Sequence, residues 1–323
     1  MNRNAYCACM IVLLFAAFAA PEARAQDSVE AHVAAAKAAA GTDYTRMFDN
    51  LCSAAVLEPR GPREAGPYPP PASEWDAEPA KVFDNLYYVG SKTVSAWAVT
   101  TSEGIIILDA LFEYSVEEEI VNGLKKLGLN PADIKYVILS HAHGDHYAGA
   151  PYLQERLNAK ILLGGPDWDF LADQRNPNKP NRDIAVTDGQ KLTLGDTTIT
   201  MYLTPGHTPG TISYLVPLRD GSSRHLGAMW GGTSFVTKTA EAFRLYINST
   251  EKFSGIVRDN PVDVVLTNHP ANSRVHEKIL MIRGRQDYEP HPFVVGKESM
   301  LNHLTVANEC AQAQMARLAA GGR

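Results

Sequence analysis

The sequence predicts an α/β fold built on a mixed sheet or on two sheets. Two observations carry this. From residue 82 onward, short β-prone runs alternate with segments of helical spacing, and many neighbouring runs are joined by tight hairpins. A doubly wound parallel sheet would place a crossover helix between its strands instead. The composition is that of a packed globular chain. Of 323 residues, 45% are hydrophobic and 20% charged, outside the ranges of disordered, collagen-like, coiled-coil and multispan membrane proteins.

The elements follow in order. Residues 28–56 are Ala-rich and read as helix, with a second short helix around Tyr44–Val56. Residues 59–79 carry seven prolines and two glycines, so this stretch is an extended linker or a surface loop. Leu86–Val89, Val94–Val99 and Gly104–Leu108 are short strands separated by turn residues. Val116–Leu127 has helical spacing and ends at Gly128. Tyr136–Leu139 is an apolar strand, followed by a helix over Tyr147–Leu157 and a strand over Lys160–Leu163. Residues 173–183 form a polar loop, and Lys191–Leu194 with Thr197–Leu203 makes a hairpin about Gly195 and Asp196. Strands Ile212–Val216 and His225–Met229, helix Glu251–Arg258, strand Val262–Leu266 and a long helix Glu298–Leu318 complete the chain.

Residues 1–25 have the pattern of a secretory signal peptide. Arg3 gives the basic start, Met10–Ala20 is uninterrupted apolar sequence, and Ala23 and Ala25 are the small residues a signal peptidase reads. The apolar run is shorter than the ~18–20 residues of a membrane span and ends at Pro21 and Glu22. The expected mature chain, residues 26–323, is periplasmic or secreted, without stable membrane association. Its surplus of acidic residues, 36 against 30 basic over the full sequence, argues against a nucleic-acid partner. Cleavage leaves Cys52 and Cys310, an even pair in an oxidising compartment, and a disulfide between them is expected.

The chemistry is concentrated in Ser140-His141-Ala142-His143-Gly144-Asp145-His146. His141 and His143 are two apart, so extended backbone points both to one side. Gly144 permits a turn that brings Asp145 and His146 to a second position nearby. Imidazole nitrogen and carboxylate oxygen are ordinary zinc ligands. Unmetallated, three such imidazoles would repel one another once protonated. His207 and His269 each follow an apolar strand, where loops commonly carry sites.

With these residues in place, the sequence resembles the metallo-β-lactamase superfamily over roughly residues 82–270. The carrying features are Asp109 ending an apolar strand, the His-x-His-x-Asp-His segment, Gly206-His207-Thr208-Pro209-Gly210 and Thr267-Asn268-His269-Pro270. The resemblance implies a four-layer αββα sandwich, here with N- and C-terminal helical extensions, and a metal site at one edge of two sheets. The chain then divides into the leader (1–25), a helical and Pro-rich extension (26–80) and a hydrolase domain (81–323). The resemblance also implies two zinc ions per chain. His141, His143 and His207 would hold the first, and Asp145, His146 and His269 the second, with Asp145 also orienting a metal-activated water as the catalytic carboxylate. Asp109 would steady the ligands without touching the ions.

The ligand set looks like that of the third subclass of metallo-β-lactamases. Other branches, lactonases and glyoxalase II among them, carry a bridging aspartate where this chain has Gly232. The third subclass itself usually keeps an Asp-Ser pair there, so Thr233 or Ser234 would have to hold the substrate. The expected function is zinc-dependent hydrolysis of β-lactams or a related cyclic amide, with a small molecule as partner. Hydrolysis of a lactone, thioester or small ester is the alternative, and a non-catalytic zinc-binding interaction protein is the reading from another class.

Overall fold

The computed structural model describes residues 28–58, 67–286 and 288–321. The expected leader and residues 59–66 of the Pro-rich stretch lie outside the described residues. One sheet contains, in chain order, β1 (Ala80–Phe83), β2 (Leu86–Tyr88), β3 (Trp97–Thr101), β4 (Gly104–Leu108), β5 (Ile134–Ile138), β6 (Lys160–Gly164) and β7 (Ile184–Val186). It is antiparallel from β1 to β4 and parallel from β4 to β7. The second sheet holds β8 (Lys191–Leu194), β9 (Thr197–Leu203), β10 (Ile212–Asp220), β11 (Ser223–Trp230) and β12 (Val264–Thr267). Its order is β12-β11-β10-β9-β8, with only β11 and β12 parallel. Of the alternatives the sequence left open, a mixed sheet or two sheets, the structure has two sheets, each of them mixed.

Side-chain alternation along the strands generates the layers. In β4, Ile106 and Leu108 face the second sheet and meet Met201, Tyr214 and Met229. Ile105 and Ile107 face outward against Ile120, Leu124 and Leu153 of helical segments. With both faces covered, the strand is apolar throughout. On the far side, Leu215, Trp230 and Val265 pack on Phe243 and Phe253 of helix Ala240–Asp259 and on Met300 and Leu304 of helix Lys297–Ala319. Three apolar interfaces between four layers make an αββα sandwich. The N-terminal helices Val29–Ala40 and Thr45–Cys52 join the second helical layer, where Cys52 and Cys310 form a disulfide.

Several elements differ from expectation for local reasons. Helix Ala240–Asp259 starts well before Glu251, because Thr239 caps it by accepting a hydrogen bond from Ala242 N at 3.2 Å. The helix expected over Val116–Leu127 begins as a wide π turn, Glu117–Asn122, before tightening over Gly123–Lys126. Helices Gly165–Asp173 and Val275–Gly284 and the short edge strands β1 and β7 were not anticipated. Trp97, Trp168 and Trp230 are buried. Among the described residues, no helix is long and apolar enough to cross a membrane.

Candidate metal centre

The segments leaving β4, β5, β9, β11 and β12 converge at one edge of the sandwich. Ile212 N donates to Ser140 O at 2.8 Å, so the end of β5 is tied to the start of β10 across the two sheets. His143 ends the extended run, and a single helical turn, Gly144–Tyr147, follows it. That turn carries Asp145 and His146 back toward His141. Ligand atoms of His141, His143 and His207 lie within 4.8 Å of one another, and so do those of His141, Asp145 and His146. His269 joins the second group, with Nε2 3.8 Å from Asp145 Oδ2.

Four of the five imidazoles have Nδ1 engaged behind them. His141 Nδ1 meets Gly231 O at 2.9 Å, His207 Nδ1 meets Ser234 O at 2.6 Å, and His269 Nδ1 meets Thr93 O at 3.0 Å. His146 Nδ1 meets Asp109 Oδ2 at 2.9 Å. Engaging Nδ1 fixes the tautomer and turns Nε2 to the centre. There His141 Nε2 and His207 Nε2 stand 3.0 Å apart, and buried His146 Nε2 has no hydrogen-bond partner among the described residues. Imidazole nitrogens crowded at such distances beside a carboxylate, Asp145 Oδ2 lying 3.3 Å from His146 Nε2, form a donor set that fits a bound cation, which would displace any proton held there.

The electrostatics set His146 and Asp145 apart from the other candidate ligands. Burial pushes His143 down to about 4 and His207 down to about 3, and holds His141 well below the usual imidazole range. These three are neutral and ready to ligate. Burial would also lower His146, but Asp145 and Asp109 override it and push the residue up to about 10. Asp145 is held below the usual carboxylate range: burial opposes its ionisation, and adjacent His146 outweighs that.

Asp109 accepts from both Ser140 N (2.6 Å) and Ser140 Oγ (2.9 Å) as well as facing His146. It sits at φ 62°, a strained conformation for a residue with a side chain. Ser140 is thereby engaged as a structural residue. Sequence reasoning missed Asp167, fully buried on helix Gly165–Asp173. Asp167 Oδ2 accepts from Ala142 N (2.9 Å) and Thr208 Oγ1 (2.7 Å), and Oδ1 from Gly210 N (2.6 Å). One carboxylate thus ties the loop of His141 and His143 to the loop of His207. Nothing in the sequence around it announces this role, because two of its three partners are backbone amides.

Gly232 packs on the His207 ring. A Cβ there would stand 2.3 Å from His207 Cβ, so any side chain at this position displaces the imidazole. Thr233 is buried, its Oγ1 accepting from Asn272 Nδ2 at 3.0 Å, whereas Ser234 is exposed. Two clefts flank the histidines. One, of about 640 Å³, is lined by Arg46, Asn50, Lys92, Thr233, Ser234 and His269, among others. The other, of about 300 Å³, is lined by His143, Phe170, His207, Val236 and Leu245, among others.

Residues 89–220 match the sequence profile of the Metallo-beta-lactamase superfamily. Among curated proteins, a hydroxyacylglutathione hydrolase of Acidiphilium cryptum is 38% identical over 82 residues, 25% of this chain and 30% of that protein. The N-acyl homoserine lactonase AttM of Agrobacterium fabrum is 33% identical over 115 residues, 32% of this chain and 43% of that one. The chain thus spans less than half the length of either. Among solved structures, BJP-1, a subclass B3 metallo-beta-lactamase of Bradyrhizobium japonicum, superposes with a TM-score of 0.64 at 27% identity, covering 77% of this chain and 97% of that one. A metallo-beta-lactamase of Cronobacter sakazakii gives a TM-score of 0.63 at 25% identity, covering 82% and 98%. Profile, layer order and the histidine-rich edge agree: residues 89–220 carry a metallo-β-lactamase superfamily domain, and the fold around them is similar to that of the solved metallo-beta-lactamases.

Proposed function

We propose that this chain is an exported, metal-dependent hydrolase acting on the amide of a β-lactam or a related cyclic amide. The observation that carries the proposal is the pair of adjoining ligand groups, with Nε2 atoms turned inward by buried partners. His141, His143 and His207 would hold one zinc ion, and Asp145, His146 and His269 a second. Bound there, zinc supplies a Lewis acid for a carbonyl oxygen and acidifies water toward neutrality.

The chain's own residues do the rest. Asp145 Oδ2, 3.3 Å from His146 Nε2, orients the attacking water and receives its hydrogen bond. Asp109 holds the His146 tautomer from behind. Gly231 O and Ser234 O do the same for His141 and His207. Thr233 and Ser234 line the larger cleft, where the exposed Ser234 hydroxyl, 3.4 Å from His207 Nδ1, would meet a substrate carboxylate or carbonyl. The expected leader at residues 1–25 and the Cys52–Cys310 disulfide support export.

Lactone or thioester hydrolysis is the second reading, favoured by the local likeness to AttM and to hydroxyacylglutathione hydrolase. Gly232 weighs against it, since that position admits no bridging carboxylate. The deciding experiment presents β-lactams, lactones and thioesters to zinc-loaded residues 26–323, with and without chelator. Chelator-sensitive lactam turnover at rates above the other two classes is expected. Lactone or thioester turnover alone would replace the first reading by the second.

A further inference from the structure

The described part of the Pro-rich stretch, residues 67–79, lies as a strap against the body of the molecule. Tyr68 Oη donates to Glu113, and the Tyr114 ring meets those of Tyr68 and Trp75 at 5.6 and 5.7 Å. Further along, Ser73 O accepts from Lys92 Nζ at 2.9 Å and Trp75 O from Lys92 N at 2.8 Å. The next residue, Thr93, is the one whose carbonyl engages His269 Nδ1. Beyond Trp75 the strap is held by Ala77 N, which donates to Glu119 Oε1 at 3.0 Å.

Glu119 is an unexpected partner for that amide. It is 3% exposed, and glutamate is seldom so buried without a paired cation. It sits in the wide turn Glu117–Asn122, a distortion that recurs at functional sites. The charged and titratable groups facing it are Asp76 from the strap, Glu118 from its own turn, Lys126 from the following helix and Tyr88 from β2. Lys126 is bonded to Glu118 instead, at 2.8 Å. Burial, reinforced by Asp76, outweighs the Ala77 hydrogen bond and pushes the Glu119 carboxyl up to about 8.

We infer that Glu119 is a positioning residue for His269, acting as a proton-linked latch on the strap. Held down, the strap covers a neutral carboxyl and braces Lys92 and Thr93 behind the imidazole. Lifted, it exposes Glu119 to water, where the group loses its proton to solvent near its ordinary 4.5. Rising pH therefore favours lifting by about tenfold per unit between 4.5 and 8, and no further above. The link to zinc rests on the reading of His269 as a ligand; the latch itself does not.

The test follows hydrogen exchange in zinc-loaded residues 26–323 at pH 6, 7 and 8, for peptides carrying the Ala77 and Lys92 amides, with each rate divided by its intrinsic value. Wild-type opening is expected to rise about tenfold per pH unit at both amides. Glu119→Gln, neutral throughout, should hold both flat. Glu117→Gln, on the exposed side of the same turn, should keep the wild-type slope. Zinc release into excess chelator gives a second readout: the ratio of wild-type to Glu119→Gln rates should climb from pH 6 to pH 8. A ratio constant with pH overturns the link to His269. Wild-type opening independent of pH overturns the latch, whether or not the variant folds. A chain that holds no zinc defeats the ligand reading, and the exchange slopes of the metal-free protein still decide the latch.

Discussion

At the scale of single residues, the candidate ligands and Asp109 behind His146 were legible, and Asp167 was not. Three imidazoles and a carboxylate within six positions have no purpose in a strand-to-helix turn except to gather round something. His207 and His269 could be added because each ends an apolar strand. Asp167 could not be found in this way, since its work is done on amides and a hydroxyl far away in sequence. Replacing Asp167 with Ala unties the loops of His141 and His207. The expected result, measured by chelator competition, is a 10–100-fold loss of zinc affinity with the circular dichroism spectrum unchanged. Asp167→Asn, which keeps one acceptor oxygen, should lie between. Equal zinc affinity in all three proteins would assign Asp167 to packing alone. Gly232 yields the complementary prediction. Gly232→Ala pushes a Cβ to 2.3 Å from His207, and a loss of about 1–3 kcal/mol in denaturant unfolding is expected, with weakened metal binding. A variant as stable as wild type would mean that the ring moves freely.

At the scale of elements, strands inside the sandwich were readable because their apolar runs are bounded by turn residues. The hairpin β8–β9 falls where its sequence places it. β1 and β7 were missed because an edge strand of three or four residues has too little pattern to stand out. Helix Gly165–Asp173 opens with two glycines around its N-terminus and a proline, which read as a loop. The C-terminal helix was evident, but the burial of His303 on it was not. Both ring nitrogens of His303 are buried without a hydrogen-bond partner among the described residues, and the ring meets Tyr44 edge-on at 5.0 Å. Burial pushes it down to about 4 from the ordinary 6.5. The folded state therefore stays neutral while the unfolded chain takes up a proton below pH 6.5. This residue's stability contribution is full above pH 6.5 and declines as the pH falls toward 4. His303→Leu should remove that decline. Urea unfolding at pH 7 and pH 5 should show the wild type losing roughly 2 kcal/mol more than the variant between the two. Parallel losses would show that His303 is already hydrated in the fold.

At the scale of the whole molecule, two sheets and their two helical layers hold the loops of the candidate ligands at one edge, and helix Thr45–Cys52 is fastened to helix Lys297–Ala319 in the second helical layer. The Cys52–Cys310 disulfide closes a sequence separation of 258 residues. Gln314 Nε2 reinforces it by donating to Leu51 O at 2.6 Å and Ser53 O at 2.8 Å, and Arg317 donates to Cys52 O at 2.8 Å. Cys52→Ser with Cys310→Ser should cost about 2–5 kcal/mol in unfolding while leaving zinc content unchanged, because no ligand loop belongs to the fastened elements. Loss of zinc in that variant would mean that the N-terminal helices help to form the site. The layer architecture was anticipated from the motif resemblance alone; the alternating β-prone and helical segments argued only for an α/β fold with a mixed sheet or two sheets. The depth to which each strand is buried became visible only when the layers were stacked.

The metal centre itself is tested most directly by titrating zinc into chelator-washed residues 26–323 while counting bound ions and following hydrolysis of the best substrate in the same samples. Two equivalents per chain are predicted, with turnover rising as they bind, and with His207→Ala and Asp145→Ala folded but slower by orders of magnitude. A chain that holds no zinc, or whose turnover is indifferent to its zinc content, would contradict the assignment of His141, His143, His207, Asp145, His146 and His269 as the working ligands.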